Sequence, residues 1–283
     1  VPSQREIRRR IGSVKNIKQI TRAMQFVAAS KLKRAQDATL QSRPYRLKLE
    51  EVLADLAAVL DVDHHPLLGA RPVGMRLVVL FTTDRGLAGS LNTNTIRFGL
   101  RHILDTGGDI KVVTVGRKGN AAMRRAGVPV VAAFEGYGDR PTFQDVLPLA
   151  RLITTDYLAG TYSHVDLLHP VFVSTLVQRP VAESLLPVTP SDDTNGIPGN
   201  QFIFEPNPSS VLEQLLPRYV ATRIYQAVLE LTASEWSSKM VAMRSATDNA
   251  QELIEDLTLT YNKVRQANIT SEMIEIATGA SAS

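Results

Sequence analysis

Residues 7–36 read IRRRIGSVKNIKQITRAMQFVAASKLKRAQ, with nine Lys or Arg side chains, no Asp or Glu and no Pro. Within this basic stretch Ile7, Ile11, Val14, Ile17, Thr21, Met24, Ala28, Leu32 and Ala35 recur in steps of three and four, which makes one continuous stripe along a helix. A stripe so narrow, sustained for about four heptads between charged flanks, predicts a coiled-coil seam rather than a helix sunk in a globular core. Pro44 should kink the helix or mark a joint. The pattern resumes in YRLKLEEVLADLAAVL (45–60) and stops before the Pro-, Gly- and Asp-bearing linker DVDHHPLLGARPVG (61–74). If helical throughout, the first rod extends roughly 87 Å.

The other end of the chain mirrors the first. EPNPSSVLEQLLPRY (205–219) supplies start signals, and from Arg218 to about Ala277 there is neither Gly nor Pro, which predicts a second rod of roughly 90 Å. Its stripe is expected at Ala250, Leu253, Leu257, Thr260, Val264, Ala267 and Ile274. Neither stripe is wide enough to be buried alone, so the two rods are expected to pair. Residues 1–50 carry 13 basic and 3 acidic side chains, a net +10, and residues 230–283 carry 4 basic and 8 acidic, a net −4. Opposite charge favours their lying side by side, although each exposed pair contributes little.

Between the rods, β-branched runs alternate with helical segments. RLVVLFTT (76–83), IKVVTVG (110–116), VPVVAAF (128–134) and HVDLLHPVFVS (164–174) read as strands, and residues 92–107, 118–127 and 143–160 as helices. The expected fold is therefore α/β: a Rossmann-like, mainly parallel sheet forms a head inserted between long N- and C-terminal helices that make an antiparallel coiled coil. The expected divisions are 1–60 and 209–283 for the helices and 75–205 for the head.

Composition removes several classes of function. With no cysteine there is no disulfide, thiolate nucleophile or Cys-based metal site. Apolar runs such as LVVLF are far shorter than the ~18 residues of a membrane span, so a soluble or peripheral chain is expected. Arginines interrupt the start where a signal peptide would need an apolar region, though an Arg-rich, acid-poor amphipathic start also fits a transit peptide.

The best lead to catalysis is TTDRGLAGSLNTN (82–94), a glycine-bearing loop between a strand and a helix. It matches neither dinucleotide nor P-loop spacing and has no lysine to reach a terminal phosphate, so Gly86 and Gly89 are read as turn residues. His64 and His65 lie in the linker, His164 and His169 bracket a strand, and His102 is placed at a helix surface with no visible acid-base partner. No cofactor and no metal are expected. The basic rod has only Phe26 as an aromatic and no nucleic-acid module, so no nucleic acid is expected as a partner. Thr21 and Ala28 in the stripe argue against a membrane-surface helix. A solvated coiled-coil face remains open as a plain reading of its charge.

Residues 17–36, 82–94 and 233–280 together, in this order, closely resemble the gamma-subunit family of F-type ATP synthases. The resemblance implies a central stalk: a non-catalytic rotor shaft, one copy per complex, that couples proton-driven rotation of a membrane ring to nucleotide-site changes in an alpha/beta hexamer. Implied partners are the alpha and beta subunits, the epsilon subunit and the rotor ring. The implied location is peripheral, on the cytoplasmic face of a bacterial plasma membrane or the matrix face of the mitochondrial inner membrane. By the same resemblance Met24, Lys31, Lys33, Arg34, Arg85, Arg265, Gln266 and Thr270 face beta subunits, Phe202, Phe204 and Glu205 face epsilon or the ring, and MIEIATGASAS (273–283) is the tip in an apolar sleeve. Two departures stand out: Ala88 replaces a Cys of some members, and residues 190–210 leave no room for a regulatory dithiol insertion. A coiled-coil nucleic-acid binder and a small-molecule α/β enzyme are the alternatives; salt-dependent DNA retention or saturable nucleotide binding would distinguish them.

Overall fold

The computed structural model describes residues 3–60, 65–69, 71, 74–189 and 204–281. The element order is α1 (Gln4–Val59), β1 (Arg76–Phe81), α2 (Leu91–Thr106), β2 (Ile110–Val115), α3 (Arg117–Arg125), β3 (Val130–Phe134), α4 (Phe143–Leu158), β4 (His164–Phe172), β5 (Gln178–Leu186) and α5 (Pro208–Ser281). Packing divides the chain into two units: Val1–Ala28 with Lys239–Ser283, and Ala29–Ser238. The two long helices each contribute to both.

In the second unit the strands are ordered β3-β2-β1-β4-β5, and the first four run parallel. β5 returns antiparallel beside β4. The sequence reading contained no such strand, because Pro180 and alternating polar residues weaken its apolar signal. At the sheet edge, where only one side of the strand needs ladder bonds, Pro180 is tolerated. β1 has five consecutive buried residues because both faces of the sheet are covered. On one face α2 and α3 pack around Val78, Leu80, Val112, Met123 and Leu168. On the other, α4 (Val146, Leu149, Ile153) shares one core with Leu49, Leu53 and Leu56 of α1 and Leu212, Leu216 and Ile224 of α5. The lower stretches of both long helices are thus walls of the α/β core.

Helix ends follow local chemistry. α5 starts within one residue of the expected 209: Pro208 takes the first helical position, and the side-chain Oδ1 of Asn207 accepts the Ser210 N–H at 2.9 Å. Pro217 lies inside that helix, and α1 likewise continues past Pro44. The expected joint at Pro44 does not end the helix; its ring is exposed, so the missing N–H leaves a carbonyl that water can reach.

In the first unit the helices run antiparallel. Gln4 donates to the Tyr261 hydroxyl at 3.1 Å, Lys18 reaches Gln251, and the Thr21 and Thr247 hydroxyls meet at 2.8 Å, so positions descend on α5 as they rise on α1. The seam departs in register from the expected stripes. On α1 the inward positions are Ile7, Ile11, Val14, Lys18, Thr21, Gln25 and Ala28, whereas Ile17 is 50% exposed. On α5 they are Met243, Thr247, Ala250, Ile254, Leu257, Tyr261 and Val264, whereas Leu253 is 47% exposed and Thr260 is also outside. Both sets step strictly 4-3-4-3 or 3-4-3-4, as a heptad seam requires. Choosing the most apolar neighbour at each turn misled the sequence reading; Lys18 and Gln25 are long enough to sit inward while their polar ends find partners or water. Ala267 and Ile274 are exposed, because α5 continues beyond the level where α1 begins.

A polar network joins the sheet edge to both helices within the second unit. The Arg223 guanidinium of α5 donates to Glu183 of β5 at 2.7 Å and to the Tyr219 hydroxyl at 3.0 Å, and lies 3.8 Å from Glu50 of α1. Both Glu50 oxygens accept from Arg46 at 2.9 Å. His169 of β4, 4% exposed, has its Nε2 3.6 Å from Glu183, a close polar neighbour rather than a formed hydrogen bond. The His169 imidazole and the Arg223 guanidinium hold the Glu183 carboxyl down to about 2, against a desolvation that pushes the other way.

Two outcomes follow from this packing. Leu56→Ala, at a fully buried site shared by helix and sheet, should lower unfolding free energy by about 2–5 kcal/mol in denaturant titrations. Because folding depresses the Glu183 pKa, its contribution is complete above the ordinary value of 4.5 and is lost as pH falls from there toward about 2. Glu183→Gln should therefore flatten the pH dependence of stability in that window; an unchanged acid-unfolding profile by circular dichroism would contradict the assignment.

Candidate partner-binding surfaces

On the first unit the outward face of α1 is basic and apolar together. Arg5, Arg8, Arg9, Lys15 and Arg22 are exposed, and so are Ile17, Ile20, Phe26 and Val27. Only Arg10 has a carboxylate on its own helix, Glu6 at 3.0 Å, among the described ion pairs of this face. Met24 is half-buried at the margin of the seam. On α5 every described side chain from Arg265 to Thr278 is exposed, including Ile269, Met273, Ile274 and Ile276. Arg265, Gln266 and Thr270 therefore share a stretch of helix that no other described residue covers. The Thr270 hydroxyl donates to the Gln266 carbonyl at 2.9 Å, which leaves the Gln266 amide outward. Four large apolar side chains are thus exposed on one helical run.

On the second unit the three basic residues of α1 differ in their engagement. Lys31 forms an ion pair with Asp139 of the loop before α4 and lies 4.3 Å over the ring of Trp236 on α5. Its charge thus holds three segments of this chain together. Lys33 pairs with Asp37 at 2.9 Å but is 73% exposed, and Arg34 is exposed with only a long contact, 3.5 Å, from its Nε to the Ser30 carbonyl. The family resemblance had grouped the three; the distant partner Asp139, 108 positions away, left no local signal.

The glycine loop after β1 is tied to itself. The Thr83 N–H donates to Asn92 Oδ1 at 3.0 Å, Asn92 donates back to the Thr83 hydroxyl at 2.8 Å, and that hydroxyl donates to the Arg85 carbonyl at 2.6 Å. Asp84 accepts the Arg117 N–H at 3.1 Å and the Gly136 N–H at 2.9 Å. A carboxylate of the chain itself therefore occupies the N-terminus of α3, where α/β folds often seat a phosphate. Gly116, φ +89°, permits this closure: a Cβ there would lie 2.0 Å from the Thr82 carbonyl oxygen. Arg85 stays exposed at the tip of the loop beside Leu87, and Lys118 of α3 approaches Gly86.

His102 has a partner that the sequence concealed. Its Nε2 is 3.2 Å from Asp166, a buried β4 carboxylate that also lies 3.6 Å from Arg76. This corrects the surface placement of His102; the contact fastens α2 to the sheet. Phe204 is half-buried against the α/β core and Glu205 is exposed just before α5. Phe202 and His64 lie outside the described residues. Among those described, no group of three or more His, Asp or Glu could hold a metal ion.

The chain as a whole resembles known proteins. The ATP synthase family model matches residues 3–282. The ATP synthase gamma chain of Roseiflexus castenholzii is 48% identical, over all of this chain and 99% of its own length. That of Dehalococcoides mccartyi is 46% identical over 98% of each chain. The fold recurs in a chain of the Euglena gracilis mitochondrial ATP synthase, at a TM-score of 0.69 and 19% identity over 99% of this chain and 94% of that one. With a match along its whole length at nearly half identity, the chain belongs to the ATP synthase gamma-chain family.

Proposed function

We propose that this chain is the central rotor shaft of an F-type ATP synthase, coupling proton-driven rotation of a membrane ring to conformational changes at the nucleotide sites of an alpha/beta hexamer. One observation carries the reading: α5 runs on past the described start of α1 as an exposed helix with apolar side chains and an Arg265 that has no ion pair among the described residues, above a paired shaft whose outer face is basic. A shaft that visits several equivalent stations needs contacts that form and release, and exposed charges in water meet that need because each is weak and screened. The polar seam suits it as well: Lys18, Thr21 and Gln251 fix the register of the helix pair through directional bonds.

In this reading beta subunits meet Met24, Lys33, Arg34, Arg85, Arg265, Gln266 and Thr270. Lys31 contributes chiefly by bracing α1 to Trp236 and Asp139, and only secondarily as a contact. Phe204 and Glu205 at the foot of α5 face epsilon or the rotor ring. The chain carries no catalytic site of its own, and one copy serves each complex. It sits peripherally at the energy-coupling membrane; no described helix is long and apolar enough to cross a membrane. The shaft halves 1–60 and 209–283 and the head 75–205 are the working divisions.

Co-expression with alpha and beta subunits tests the reading directly: the chain should co-purify in one complex and restore its ATPase. Within that complex Arg265→Ala with Gln266→Ala should reduce turnover at saturating ATP. Truncating one member of a desolvated interface pair costs about 2–5 kcal/mol, whereas an exposed helix surface moves by less than about 0.5 kcal/mol. Arg265→Lys should recover part of the loss, since a point charge lacks the fork of the guanidinium. Wild-type turnover in the double variant would return both residues to solvent. The single tryptophan gives a separate reading of Lys31: Lys31→Ala should shift Trp236 emission, and an unchanged spectrum would remove the brace.

A further inference from the structure

The network around Arg223 lies at the margin of the shared apolar core, next to Ile224 on α5 and Leu49 on α1. Beside it is a cavity of about 200 Å³ lined by Arg43, Arg46, His169, Glu183, Arg223 and Glu230 among others. There charges add to the apolar contact between helices and sheet edge: Glu50 from α1, Arg223 from α5 and Glu183 from β5. A second bond reinforces it, from the Phe172 N–H of β4 to the Glu230 carboxylate of α5 at 2.8 Å.

Such a network adds little to stability compared with well-packed apolar residues, because desolvating the charges offsets much of their attraction. What it adds is direction. The hydrophobic effect itself is non-directional and close packing restrains a helix only through shape, while a planar guanidinium held between carboxylates of two other elements adds a directional restraint against rotation. We propose that Arg223, clamped by Glu183 and Glu50, is the torsional lock that fastens the lower shaft to the α/β head, so that torque is transmitted through the head without slip. The inference rests on the shaft reading and names a positioning residue within it. Arg223 meets no substrate; it acts through the orientation of α1 and α5 against the sheet.

The test uses the whole complex in proteoliposomes, with ATP hydrolysis and ATP-driven proton pumping measured on the same preparation. Arg223→Met keeps most of the side-chain length and removes the fork. It should retain hydrolysis and lose pumping per ATP, while Arg223→Lys keeps an intermediate ratio. Glu183→Gln, which preserves shape and removes one charge, should show the same loss in milder form. A merely structural role would lower hydrolysis and pumping together or change neither, and either result overturns the lock. So does failure of both Arg223→Met and Glu183→Gln to assemble, since the network would then serve folding alone. If the wild-type chain itself supports no coupled pumping, the shaft reading falls and takes the lock with it; wild-type coupling with unaltered ratios in the variants removes the lock alone.

Discussion

Narrow apolar stripes that cannot be buried alone govern this protein. A helix with two inward positions in seven hides too little surface to stay folded by itself, and gains stability only from a second helix or a sheet. α1 and α5 meet that condition in two ways. In one unit they face each other through a heptad seam of Ile7, Ile11, Val14, Ile254, Leu257 and Val264. In the other, Leu49, Leu53, Leu56, Leu216 and Ile224 are absorbed into the core of a five-stranded sheet. The same helices are thus partner to each other in one place and wall of an α/β core in another.

What is left outside that burial is free for other uses. Seam positions are spent on pairing, so the remaining positions of α1 are free to be basic, and those of α5 beyond residue 264 are free to be apolar and exposed. Lys31 departs from this rule. Its charge is used inside the chain, against Asp139 and Trp236, so it braces the shaft where its neighbours Lys33 and Arg34 project. The glycine loop makes a related point about chemistry. Its shape is that of an anion-binding turn, yet Asp84 fills the helix end and Thr83 and Asn92 satisfy each other. The α/β fold therefore serves here as a rigid body on which the helices are mounted.

Much of this was legible in the sequence because it depends on spacing between near neighbours. Steps of three and four mark a helix whatever it packs against, and four β-branched runs alternating with helical segments specify a parallel sheet. Local spacing also located Arg265, Gln266 and Thr270 on a helix; a role against beta subunits is what the family resemblance implies and what we propose. Register was less legible: Ile17 outranks Lys18 in hydrophobicity, but a strict heptad places Lys18 inward, and only the facing helix decides between them. β5 escaped because an edge strand buries one side and can carry Pro180. The pairings of Lys31 with Asp139, His102 with Asp166 and Arg223 with Glu183 and Glu50 join residues 40 to 173 positions apart. Sequence by itself determined the two long helices, the three head helices and the four parallel strands, since those follow from backbone periodicity. Tertiary structure alone decided which charges are used up inside the chain and which remain for partners, because an ion pair depends on distance in space and leaves no trace in local spacing.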